Sequence, residues 1–181
     1  MAKVHPELTP RLMRFVREQH VFFVASSPLS PDGHVNVSPK GLDSFRIIDP
    51  LKVAYLDMAG SGSETSAHLL ENKRITIMFC SFTRKPLILR LYGHGVSYRP
   101  PDLHYGELRP LFPEIPGERQ IIEVSILLIR TSCGFGVPLM DLQAERTFLA
   151  EWAAKKGEHG LDKYREENNT FSIDGLPNEW P

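Results

Sequence analysis

The runs Ile75-Thr76-Ile77-Met78-Phe79-Cys80 and Leu87-Ile88-Leu89-Arg90-Leu91-Tyr92 decide the fold class. Both are rich in apolar residues that suit strands, and no helical pattern separates them. Working outward, Val21-Phe22-Phe23-Val24-Ala25-Ser26 is a third strand signal. It stops at Ser27-Pro28-Leu29-Ser30-Pro31-Asp32-Gly33, a segment dense in turn residues. His34 to Ser38 then alternates, with Val35 and Val37 expected toward the core and Asn36 and Ser38 on the other face. The two runs together predict a hairpin. Val53-Ala54-Tyr55-Leu56 and Ile121–Ile129 bring the count to six strands. Helical signals gather mainly at the ends. Thr9-Pro10 predicts an N-cap with proline in the first turn, and Leu8, Leu12, Phe15 and Val16 share one face of a helix ending near Gln19. A short helix is expected to end at Asn72, and another spans Asp141 to Lys156 with Gly157 as its C-terminal cap. Strands that do not alternate with helices argue against a doubly wound sheet. They predict a mainly β fold, an antiparallel barrel with peripheral α-helices.

Composition bounds the function. The chain has 181 residues, which favours one domain over 1–181, with enough length for a core without staples. Hydrophobic residues make up 41% and charged residues 24%, an ordinary globular balance. A net charge of −1 gives no electrostatic footprint for nucleic acid or an anionic membrane. The two cysteines, Cys80 and Cys133, make no disulfide framework and no zinc spacing. The opening residues lack the apolar run of a signal peptide, and Arg90 and Arg130 interrupt the best apolar stretches. A cytoplasmic protein without membrane spans is therefore expected.

Four segments could carry chemistry. Gly60-Ser61-Gly62-Ser63-Glu64-Thr65 precedes the short helix, and a helix N-terminus with small hydroxyl residues suits a phosphate; ordinary capping is the commoner use of such residues. In Asn36-Val37-Ser38-Pro39-Lys40-Gly41, Lys40 could serve as a point charge for a phosphate or simply be solvated. Arg90, set in an apolar strand, needs a ligand, a subunit interface or an acid such as Asp57. Cys133, in Thr131-Ser132-Cys133-Gly134-Phe135-Gly136-Val137-Pro138, could be a nucleophile, although a buried structural cysteine is favoured. The seven histidines show no metal-ligand spacing, and no metal is expected. Asn168-Asn169-Thr170 matches a glycosylation pattern without a secretory signal to give it meaning.

In order and spacing these segments resemble the FMN-binding split-barrel family related to pyridoxamine 5′-phosphate oxidase. The resemblance runs from Leu8 to Pro177. It is carried by Val35–Gly41, by Tyr55-Leu56-Asp57 through Gly62–Leu69, and by Leu87–Gly93. Two later blocks, Ser132–Pro138 and Ser172-Ile173-Asp174-Gly175-Leu176-Pro177, are similar to a poorly characterised branch. The resemblance implies a six-stranded split barrel and a homodimer with FMN between subunits. It places Val35, Asn36, Val37 and Ser38 along the flavin ring, with Lys40 reaching the phosphate. Tyr55 and Leu56 would continue the wall, Ser63 and Thr65 would hold the phosphate, and Arg90 would lie near the phosphate or ring edge. Two departures matter. Glu64 and Thr65 stand where the oxidases carry two basic residues, and the C-terminal Arg-x-His-Asp-Arg pattern that grips their substrate is missing. The expected activity is thus an FMN-dependent oxidoreductase acting on an unknown small molecule, without a named catalytic residue. The alternatives are a non-catalytic flavin- or haem-binding storage protein, with His94 or His68 as axial ligand, and a deazaflavin-using barrel.

Overall fold

The computed structural model describes residues 2–178; Met1 and residues 179–181, included in the 1–181 domain expected above, lie outside the described residues. The first element, β1 (Lys3–His5), leads to α1 (Pro10–Arg17). Thr9 caps α1, its hydroxyl accepting from the Leu12 amide at 3.4 Å, and Pro10 occupies the first turn. Strands β2 (Phe22–Ser26) and β3 (Asn36–Lys40) form the predicted hairpin, with Ser26 opposite Asn36 and Phe22 opposite Lys40. Next come β4 (Phe45–Asp49), β5 (Lys52–Met58) and α2 (Glu64–Asn72). They are followed by β6 (Arg74–Cys80), β7 (Ile88–Tyr98), α3 (Leu103–Leu108), β8 (Glu118–Ser132) and α4 (Phe148–Asn168).

The strands make one eight-stranded sheet, ordered β3-β2-β6-β7-β8-β5-β4, with β1 also pairing β8. Every pairing is antiparallel. Strand β8 is long enough to hold β7 along one edge and both β5 and β1 along the other. The terminal strands β3 and β4 do not pair with each other, so the barrel is not closed. The mainly β, antiparallel fold with peripheral helices is as expected; the six strands become eight. The two additions are short. Strand β1 has three residues, and β4 is an edge strand whose apolar pattern is interrupted by Arg46.

The core lies inside the curved sheet. Phe22 contacts Phe45 edge-on at 5.0 Å and Tyr55 at 5.7 Å, and Phe79 joins them. Val24, Ile77, Leu89, Leu91, Ile122 and Val124 complete this layer, and α1 closes it with Leu12 and Val16. Burial of each such side chain stabilises by about 1.5–3 kcal/mol. A smaller cluster packs Tyr105, Leu108 and Phe112 onto Ala54, Leu56 and Ile121. Among the described residues no helix is long and apolar enough to cross a membrane.

Two further expectations need correction. Val35 and Val37 do not face the core; both are more than half exposed, while Asn36, Ser38 and Lys40 turn inward. The alternation is real, but β3 is an edge strand whose inward side meets a polar cluster. Helix α4 begins at Phe148 rather than Asp141 and continues beyond Gly157. That residue, with φ of 64°, breaks the helix internally instead of ending it.

Candidate functional site: a charged cluster beside the start of α2

Strand β5 turns at Gly60-Ser61-Gly62-Ser63 into α2, and β3 runs alongside the junction. Asn36 Nδ2 donates to Thr65 Oγ1 at 3.0 Å, tying the strand to the first turn of the helix. Ser38 Oγ donates to Asn36 Oδ1 at 3.3 Å. Lys40 Nζ donates to Asp57 Oδ1 at 2.7 Å. The other Asp57 oxygen accepts from Arg119 Nη2 at 2.6 Å, Arg119 Nε at 3.1 Å and Gln120 Nε2 at 2.8 Å. Gln120 Nε2 also donates to Ser66 Oγ at 2.6 Å, while its oxygen accepts from Arg99 Nε at 3.2 Å.

Electrostatics follow from burial. The Asp57 and Arg119 side chains are 3% and 4% exposed, but Lys40 is 24% exposed. Burial alone would raise the Asp57 carboxyl pKa. The charges of Arg119 and Lys40, with hydrogen bonds from Lys40 and Gln120, outweigh it and hold that carboxyl well below the usual range. Two cations share one carboxylate, so the triad carries one surplus positive charge, and Lys40 is its accessible end.

A C-terminal strap covers the junction from outside. Asn169, fully buried, accepts from Arg119 Nη1 at 3.0 Å and donates to the Gly60 carbonyl at 3.0 Å. Ser63 Oγ donates to the Phe171 carbonyl at 3.1 Å, and Asn178 Nδ2 donates to the Ser63 carbonyl at 3.3 Å. The block Ser172–Pro177 forms a tight turn, with the Gly175 amide donating to the Ser172 carbonyl. At its tip Asp174 accepts from His34, from the backbone amide at 2.7 Å and at Nδ1 at 2.6 Å.

The structure therefore brings together Asn36, Ser38, Lys40 and Thr65. Ser63 adjoins them but is buried, its hydroxyl committed to the strap. The Tyr55 and Leu56 side chains are buried in the two apolar clusters and offer no wall to a ligand. Val35 and Val37 project from the opposite face of β3. Arg90 is separated from the group. It lies on the outer face of the sheet, two strands beyond β2, and meets Ser132 Oγ at 3.1 Å rather than Asp57. Cys133 is exposed rather than buried, because it begins the loop leaving β8. His68 is fully buried, with Nδ1 on Ser26 Oγ at 2.9 Å. Sequence reasoning missed Arg119, Gln120 and Asn169. The signal for the first two was the polar pair immediately before the apolar run at Ile121-Ile122.

This arrangement, an open antiparallel sheet with a charged polar strip between an edge strand and a helix start, defines a protein of the split-barrel class. The family model described as pyridoxamine 5′-phosphate oxidase matches residues 8–133. The pyridoxamine 5′-phosphate oxidase family protein ustO of Aspergillus flavus is 38% identical over 192 residues, covering 96% of this chain and 76% of ustO. The chain belongs to the pyridoxamine 5′-phosphate oxidase family. Solved structures share the fold at lower identity. HupZ of Group A Streptococcus is 18% identical, with a TM-score of 0.51 over 67% of this chain and 90% of that one. A Clostridium acetobutylicum protein related to general stress protein 26, of the pyridoxinephosphate oxidase family, is 13% identical, with a TM-score of 0.53 over 68% and 86%. An FAD-binding protein of Mesorhizobium loti is 11% identical, with a TM-score of 0.50 over 72% and 96%.

Proposed function

We propose that this protein binds FMN along β3 and acts as an oxidoreductase on a small molecule. The observation that carries this reading is the surplus positive charge delivered by Lys40 to the polar strip of β3. A flavin phosphate is an anion, and this strip offers it a point charge at Lys40 and polar groups at Asn36, Ser38 and Thr65 beside a helix N-terminus. Strand β3 ends the sheet, so among the described residues its free edge pairs with no other strand and presents backbone C=O and N–H groups, except at Pro39, which has no N–H. Those groups suit the polar edge of a flat heteroaromatic ring. The donors present thus fit the cofactor at Asn36, Ser38, Lys40 and Thr65 and do not recruit the Ser63 hydroxyl, which is occupied. The name of the Mesorhizobium relative, an FAD-binding protein, favours a flavin of some kind.

Bound flavin would supply two-electron redox chemistry; the chain supplies placement and charge. Glu64, at the first position of α2, disfavours a second anion there and leaves Lys40 as the main balancing charge. The same reading includes a homodimer in the cytoplasm. The second reading is storage of flavin or haem without turnover. His68 is fully buried with Nδ1 on Ser26 Oγ, whereas His94 lies in a shallow cleft with Thr76, Tyr92 and Leu127 and is the candidate axial ligand that a haem could reach.

The test is the absorption spectrum of the purified protein, followed by heat release and mass measurement of the chromophore. FMN, with reduction by a nicotinamide donor, supports the oxidoreductase; FMN that no donor reduces supports storage. A colourless protein that does not bind added FMN overturns both flavin readings, and sedimentation velocity separates dimer from monomer.

A further inference from the structure

The outer face of the sheet carries a second polar feature, remote from Lys40. Strand register places Pro39, Phe23, Met78, Arg90, Arg130 and Val4 in one row across six strands. Residues directly opposite in antiparallel strands share a face, so Arg90 and Arg130 stand side by side with Cβ atoms about 4.5–5.5 Å apart. Neither makes an ion pair among the described residues. Arg90 is half-buried, and its Nη1 is fixed on Ser132 Oγ at 3.1 Å. Like charges placed directly opposite destabilise a sheet, and this pair has no acid to relieve it.

The surroundings are apolar. Met78 flanks Arg90, and the next row brings Tyr92 and Leu128 to the same face. At the other end, Gly134 packs so closely that an added Cβ would lie 3.1 Å from the Leu87 amide nitrogen and 3.5 Å from Ile88 Cγ1. The turn after β8 therefore packs against the start of β7, two residues before Arg90. Two arginines on neighbouring strands, one of them held on a hydroxyl, beside an apolar floor suit an organic carboxylate.

We propose that Arg90 and Arg130 together bind the carboxylate of a small organic acid whose apolar body lies over Met78, Tyr92 and Leu128. Tyr92 and Leu128 lie two residues along their strands from the arginines, about 7 Å. That spacing suits an aryl or alkyl body separated from its carboxylate by a short chain. Arg90 is thereby assigned to a ligand other than the phosphate near Lys40. Within one chain Arg90 and Lys40 lie on opposite faces of the sheet, so the proposal does not use the Lys40 cluster.

The probe is 4-phenylbutyrate, titrated into the full-length protein as purified and followed by amide shifts in two-dimensional NMR. Saturable shifts confined to residues 76–78, 90–92 and 128–134 are expected, with Arg90→Gln and Arg130→Gln each weakening binding at least tenfold. The neutral analogue 4-phenylbutyramide should bind at least tenfold more weakly than the acid. Without probe, Arg130→Gln should raise Tm by about 1–3 °C, since it removes like-charge repulsion. Absence of saturable shifts there, equal binding of acid and amide, or full binding by both variants would overturn the proposal. So would a fall in Tm of Arg130→Gln, which would mark the pair as structural. Chromophore release reports separately on the flavin, so the two readings can fail independently.

Discussion

Replacing Asp57 by Asn keeps the shape of a fully buried side chain and removes its charge. In the native protein that carboxylate accepts from Lys40, Arg119 and Gln120. Asn cannot accept at both positions, and Arg119, only 4% exposed, is left as a buried cation without its counterion. Breaking a buried ion pair from one side costs about 3–5 kcal/mol. For a chain of this size each kcal/mol moves Tm by about 2–4 °C, so Asp57→Asn should lower Tm by about 6–20 °C near neutral pH. The pH dependence has a definite sign. The folded carboxyl titrates below its ordinary value of 3.8, so its contribution is fully present above that value and is lost as pH falls toward the lower folded value. The Tm gap between wild type and variant should therefore be constant from pH 5 to 8 and narrow below about pH 4. Differential scanning calorimetry across that range tests it. A loss under 2 °C at pH 7, or a gap that widens in acid, would refute the buried-triad argument.

Lys40→Ala should weaken FMN binding by about ten- to a hundredfold, the loss of a charged hydrogen bond worth about 1.5–3 kcal/mol, while circular dichroism stays native; isothermal titration reads the change. Asn169→Ala should cost about 1–3 kcal/mol in urea unfolding, because it strips an acceptor from Arg119 and a donor from the Gly60 carbonyl in a buried site. Gly93→Ala should destabilise by about 1–3 kcal/mol in the same assay, since its Cβ would lie 2.3 Å from the Ser125 carbonyl oxygen, which the β7–β8 ladder holds in place.

Much of the fold was legible because its longer strands are continuous apolar runs. The β2–β3 hairpin, the helix before Asn72 and the central runs of β6, β7 and β8 all stand where their residues predict. What was hidden depended on partners distant in sequence. Val35 and Val37 alternate as strand residues should, but alternation does not say which face meets the core. An edge strand beside a polar cluster reverses the usual answer. Arg119 looks like surface charge until Asp57, 62 positions away, is placed against it. Asn169 sits inside a pattern that suggests sugar attachment, yet it is fully buried and its neighbour Asn168 is the residue that faces water. Lys40 and Thr65 were candidates from residue type and position, Asn36 from the family resemblance, and geometry groups them. Arg90 has the right residue type for an anion, but strand register carries it to the other side of the sheet.

The strap has a consequence for the order in which the protein matures. Asn178 and Ser63 are 115 residues apart, and Asn169 and Gly60 are 109. A ribosome releases the strand-and-glycine junction long before it releases the residues that seal it. Until then the Gly60 and Ser63 carbonyls must be served by water, and Arg119 lacks its amide acceptor. The charged cluster is thus completed only after Asn169 and Asn178 emerge, and a chain stalled before Asn169 would carry a finished sheet with an unsealed site.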